Sequence, residues 1–84
     1  MSYTAEIKRS AEKEMDRLAD NIHKRITDKI LALETNPRPP GVKKLQGEEG
    51  YRLRVGDYRV LYTIDDQARR IFVYSVAHRR EAYR

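Results

Sequence analysis

Two periodicities divide the chain. Ala11, Met15, Leu18, Ala19, Ile22, Ile26, Ile30 and Leu33 recur at spacings of three and four, the signature of one apolar helical face. The pattern slackens around Asp20-Asn21, which predicts a hairpin of two helices rather than one rod. Ser10 stands where an N-cap is expected, with Glu12 and Glu14 in the first turn, where the helix dipole favours negative charge. The helical region must end at Asn36-Pro37, because proline disfavours helical geometry in the residue before it, and Pro39-Pro40-Gly41 prevents its resumption.

Beyond that point the period becomes two. The alternation predicts a short strand at 42–45, a polar turn at 46–50, and strands at 51–55, 58–64 and 69–77. Gly56-Asp57 is a two-residue hairpin signal, and 65–68 is a turn. Residues 3–7 also alternate and predict a first strand. The fold class read from this order is α+β: an N-terminal strand, a helical hairpin, then an antiparallel meander, four to five strands in total, with the helices on one face. A chain of 84 residues is short enough that residues 1–84 are expected to form a single domain.

The hairpin turn sets a register. With Gly56-Asp57 at the tip, Val55 faces Tyr58, Arg54 faces Arg59 and Leu53 faces Val60. Alternation adds Arg52 to the face of Arg54 and Arg59, and sends Leu53, Val55, Tyr58, Val60 and Tyr62 to the helix side. Like charges directly opposite across a strand pair are destabilising, by about 0.2–1 kcal/mol, so an anion is expected on this face. The last strand returns beside the turn and delivers His78, Arg79 and Arg80 to the same neighbourhood. A helical turn over 79–83, the short C-terminal helix of the predicted fold, would set Tyr83 on the face of Arg79 at i,i+4 spacing, where a base could stack on the ring.

Other polar and aromatic positions have ordinary explanations. Tyr51, Tyr58, Tyr62 and Tyr74 are what strands use for cross-strand packing, and His23 has no ligand-like companion. Lys43-Lys44 fits an edge strand guarded against aggregation as well as it fits RNA contact. Arg69 and Arg70 beside Asp65 and Asp66 read as a solvated turn.

Charge sharpens the picture. The net charge of +5 is unevenly spread: residues 1–42 hold 8 Lys and Arg against 7 Asp and Glu, residues 43–84 hold 10 against 6. Eight of those ten are Arg, whose planar fork suits phosphate, so a polyanionic partner is indicated. The absence of cysteine removes disulfides, thiolate metal sites and thiol nucleophiles, and two distant histidines do not suggest a metal centre. Neither metal nor cofactor is expected. Without a membrane-length apolar run or a signal-like N-terminus, the chain reads as cytoplasmic.

Asn36-Pro37-Arg38, Lys44-Leu45-Gln46-Gly47, the run from Tyr51 through Gly56-Asp57 to Tyr62, and the run from Val76 to Arg84 together resemble the RelE toxins of toxin–antitoxin pairs. The resemblance implies a metal-independent endoribonuclease that enters the ribosomal aminoacyl site and cleaves messenger RNA, inhibiting translation. It also implies a cognate antitoxin that neutralises the toxin and ties it to operator DNA. By similarity the catalytic positions are Arg52, Arg54, Arg59, Arg79 and Tyr83, with Arg59 and Arg79 on the scissile phosphate. Lys43, Lys44, His78 and Arg80 are expected RNA contacts. The family's best-known pattern has lysines where Arg52 and Arg54 stand, one of them a candidate general base. Arginine, with a pKa above about 12, is no proton acceptor, which leaves His78, a group on ribosomal RNA, or attack without strong base help. Two other readings share the basic surface: a non-enzymatic ParE-type toxin acting on DNA gyrase, and a catalytically inert RNA-binding module.

Overall fold

A computed structural model of the chain describes residues 2–47 and 49–80. In chain order the elements are β1 (Thr4–Ile7), α1 (Arg9–Asp16), α2 (Asp20–Leu33), β2 (Lys43–Lys44), β3 (Tyr51–Val55), β4 (Tyr58–Asp65) and β5 (Arg70–His78). The sheet order is β1-β5-β4-β3-β2. β1 runs parallel to β5 and every other pairing is antiparallel, so the α+β expectation holds with a mixed sheet of five strands. Of the expected C-terminal helical turn over 79–83, Arg79 and Arg80 lie in a turn after β5, and the rest falls outside the described residues.

Helices as short as α1 are marginal alone, so packing must hold it. Ala11 and Met15, one turn apart, bury completely or nearly so, and Ile26, Ile30 and Leu33 do the same from α2. They meet Leu53, Val55, Val60, Tyr62, Ile71, Val73 and Val76 from one face of the sheet. The break between the helices falls at residues 17–19, slightly before the expected Asp20-Asn21.

Ser10 is not the N-cap. Lys8 occupies that place without a side-chain cap, and the Ser10 hydroxyl instead donates to the Tyr74 carbonyl at 2.9 Å. One turn on, the Val76 N–H donates to Glu14 Oε1 at 2.9 Å. β1 pairs with β5 only as far as Val73, so these two side chains satisfy backbone groups that β1 is too short to reach.

At Tyr74 the alternation of β5 breaks. Leu61 pairs with Ser75 and Tyr62 with Val73, leaving Tyr74 as an extra residue. Such a bulge shifts the side-chain period by one. Ile71 and Val73 before it, and Val76 after it, therefore all reach the core.

A polar network closes the end of the sheet near the β4–β5 turn. Arg38 forks onto Asp66 at 3.3 and 3.0 Å and donates to the Tyr51 hydroxyl at 3.1 Å. Tyr3 donates to the same Asp66 carboxylate at 2.6 Å. Tyr51 stacks on Tyr62, and the buried Tyr62 hydroxyl donates to the Pro37 carbonyl at 2.7 Å. Burial, with the nearby Tyr51 adding to it, pushes the Tyr62 hydroxyl up to about 12. Loop, first strand and meander are thereby tied together.

Candidate nucleic-acid interface

The hairpin forms in the register that its turn requires. Gly56 has φ +59°, the positive value a two-residue turn demands of its first central residue when that residue is glycine. Val55 then pairs with Tyr58, Arg54 with Arg59, Leu53 with Val60 and Arg52 with Leu61. On the other side of β3, Lys43 pairs with Arg52. Two cross-strand pairs of like charge, Lys43 with Arg52 and Arg54 with Arg59, thus lie on the face turned away from the helices.

These side chains share one concavity. A cleft of about 270 Å³ is lined by Gly41, Lys43, Arg52, Arg54 and Arg59. Gly41 comes from the Pro39-Pro40-Gly41 exit loop. Arg54 Nε donates to the Gly56 carbonyl at 3.1 Å, and Arg59 Nη1 reaches the Tyr58 carbonyl at 3.5 Å. Main-chain carbonyls hold both forks in place. Among the described residues, Lys8–Glu6, Lys24–Asp28, Arg38–Asp66 and Arg70–Glu6 form ion pairs away from this cleft. Such a face can bind an anion and stabilise charge that develops on it.

The remaining expected positions divide. Arg79 is exposed and stands opposite Asp57, its N–H donating to the Asp57 carbonyl at 2.7 Å, beside the hairpin tip but outside the residues lining the cleft. Arg80 is also exposed and donates through its N–H to His78 Nδ1 at 3.3 Å. Tyr83 lies outside the described residues.

Two positions need correction. Lys44 pairs with Tyr51, whose ring stacks on Tyr62 on the core side, so Lys44 belongs to the other face from the arginines. His78 pairs with Tyr58 and meets its ring edge-on, centroids 5.4 Å apart. Tyr58 alternates with Val60 and Tyr62, so His78 lies on the helix side, lining a separate hollow with Glu14, Arg17 and Leu18. The bulge at Tyr74 is the physical reason. It places Ala77 opposite Arg59, where an unbroken register would put Val76 and carry His78 on the same face.

One cation escaped the sequence reading. Arg25 on α2 reaches the hairpin tip, where a Cβ added at Gly56 would stand 3.7 and 3.9 Å from its two terminal nitrogens. Its spacing of three from Ile22 put it beside the apolar face of the helix, but nothing local said which strand that face would meet.

Among the described residues no group of three or more His, Cys, Asp or Glu could hold a metal ion, and no helix is long and apolar enough to cross a membrane. Residues 5–83 match the family described as the ParE toxin of type II toxin–antitoxin systems, parDE. A Methanocaldococcus jannaschii protein carrying the name toxin RelE1 is 32% identical over 88 residues, covering 100% of this chain and 98% of that protein. The archaeal RelE–RelB complex of Pyrococcus horikoshii contains a chain that superposes with a TM-score of 0.85 at 29% identity, over 96% of this chain and 99% of that one. A mutant of E. coli toxin RelE in the free state gives a TM-score of 0.81 at 27% identity, over 99% of this chain and 88% of that one.

Proposed function

Since this chain belongs to the RelE/ParE superfamily of toxins from type II toxin–antitoxin systems, we propose that it is a ribosome-dependent endoribonuclease cleaving messenger RNA in the aminoacyl site. The observation carrying this reading is the pair of like-charged cross-strand contacts around one cleft, Lys43 with Arg52 and Arg54 with Arg59. Stability alone would not select them. A phosphodiester seated there would be gripped by guanidinium forks.

In the proposed reaction the 2′-oxygen attacks the adjacent phosphorus in line. The new 2′-O–P bond closes a cyclic phosphate as the bond to the 5′-oxygen breaks. The 2′ proton departs and the leaving oxygen gains one. Arg52, Arg54 and Arg59 stabilise the charge added to the phosphoryl oxygens, and Arg79 approaches from the hairpin tip. Tyr83 is assigned to the nucleotide by similarity alone. A guanidinium is no proton acceptor, and His78 lies on the opposite face from the cleft. A protein with so little acid–base machinery gains most from a substrate held in attack geometry by something else, which fits dependence on the ribosome.

The Pyrococcus relative was solved with RelB. By that likeness this toxin has a cognate antitoxin that covers it and links the complex to operator DNA. A neighbouring reading frame encoding a small acidic or amphipathic protein is the expected companion.

The decisive experiment adds purified protein to a cell-free translation reaction and maps message ends. Cuts at ribosome-occupied codons, lost in Arg59→Ala and reduced in Arg79→Ala, are expected. Intact message with inhibited gyrase supercoiling would transfer the chain to the ParE-type activity. RNA binding without cuts would make it an inert module.

A further inference from the structure

The arginine face does not end at the hairpin. A second cleft, of about 240 Å³, lies around the tip and is lined by Ile22, Arg25, Arg54, Val55, Gly56, Asp57 and Tyr58. Arg54 lines this cleft and the first, so the two are adjacent compartments that share this residue. Arg25 and Arg54 both close on Gly56, Arg54 through its hydrogen bond to the carbonyl and Arg25 against the open side where a Cβ would project. Arg25 makes no ion pair among the described residues, and Asp57, though it lines the cleft, pairs with neither arginine. The apolar wall of Ile22, Val55 and Tyr58 is suited to the flat side of a ribose or base.

Tertiary structure has therefore brought a helix cation to a turn cation over a residue that contributes no side chain. Two neighbouring like charges beside a main chain free of bulk make a seat for one more anion. We propose that the hairpin-tip cleft is a second phosphate subsite, in which Arg25 and Arg54 hold the phosphodiester next to the one in the first cleft. Arg25 is then a positioning residue. It holds the strand on the far side of the hairpin and so sets which phosphate enters the first cleft. The inference rests on the nuclease reading, since it takes a single RNA strand as the occupant.

The test measures binding of 2′-O-methyl oligoribonucleotides, which lack the attacking hydroxyl, across a salt series. One probe is a two-nucleotide RNA with a single internal phosphate, the other a four-nucleotide RNA with several. Arg25→Ala is expected to weaken the longer probe about tenfold, the loss of one charge-assisted contact. It should reduce the salt slope for that probe by about 0.7, the value of one phosphate on a single strand. The shorter probe should bind as before, and Arg25→Lys should restore most of the loss by keeping the charge. Arg59→Ala should weaken both probes. If Arg25→Ala leaves the longer probe unchanged, or weakens both probes equally, the second subsite is overturned while the Arg59 result still supports the first. If Arg59→Ala changes neither probe, the nuclease reading itself falls and the subsite with it. Unchanged thermal unfolding of Arg25→Ala confirms that any loss comes from the subsite.

Discussion

At one end of β3, Arg38 lies against Tyr51 and forks onto Asp66, with Tyr3 completing the carboxylate's partners. At the other end, Arg54 faces Arg59 across the ladder and finds only a carbonyl for its Nε. The side chain is the same, and what differs is what the fold places opposite it. Beside a carboxylate its charge is spent on closing loops, whereas Arg54, which makes no ion pair among the described residues, keeps its charge for an incoming anion. Counting arginines therefore says little about function, and pairing says much.

The largest effect is expected at Arg59. Arg59→Ala should lower cleavage in the translation assay about a hundredfold or more, as loss of a group stabilising transition-state charge does, while thermal unfolding stays near that of the parent. A comparable loss of stability would mean that Arg59 supports the fold rather than the phosphate.

The opposite behaviour is expected at the closed end. Tyr62→Phe leaves the Pro37 carbonyl without its buried donor, at a cost of about 1–3 kcal/mol. That should lower the melting temperature by at least about 4 °C. Cleavage by the folded fraction should persist. Arg38→Ala should also lower the melting temperature, by less because its pairs are partly solvated, and again spare the chemistry.

The closed end should respond to pH on both sides. Hydrogen bonds from Arg38 and then Tyr3 hold the Asp66 carboxyl below its ordinary value, and the Asp66 carboxylate holds the Tyr3 hydroxyl above its own. A depressed carboxyl stabilises the fold fully above its ordinary value of about 3.9, and that contribution is lost as pH falls through the folded-state value. A raised phenol contributes below its ordinary value of about 10, and that contribution is lost as pH rises through the folded-state value. Denaturant titrations across both ranges should show two declines, each diminished in Asp66→Asn.

The smallest effect concerns the cost of keeping the cleft open. Arg54→Thr removes one like-charged cross-strand pair and should raise stability by about 0.2–1 kcal/mol while weakening RNA binding. If stability fell instead, the cleft would no longer stand out from the Arg38 end.

Much of this is legible in the sequence alone. Gly56-Asp57 is a local signal, and a two-residue turn leaves one register, so the Arg54–Arg59 pair could be read from a dozen residues. The helical face from Ala11 to Leu33 was equally plain, because periodicity is set by backbone geometry over a few turns. The N-cap was misread because Ser10 had a competing acceptor in β5, more than sixty residues away.

Neighbours along the chain therefore enforce the helix and strand periods, the hairpin register, and an arginine face opposite an apolar one. Packing of distant segments sets the parallel pairing of β1 with β5, the bulge at Tyr74 that turns His78 away from the cleft, and the reach of Arg25 to the hairpin tip. The reason is physical. Period and turn geometry act over a few residues, whereas a bulge, an edge pairing or a helix docking is chosen by contacts among segments tens of residues apart, which no local pattern records.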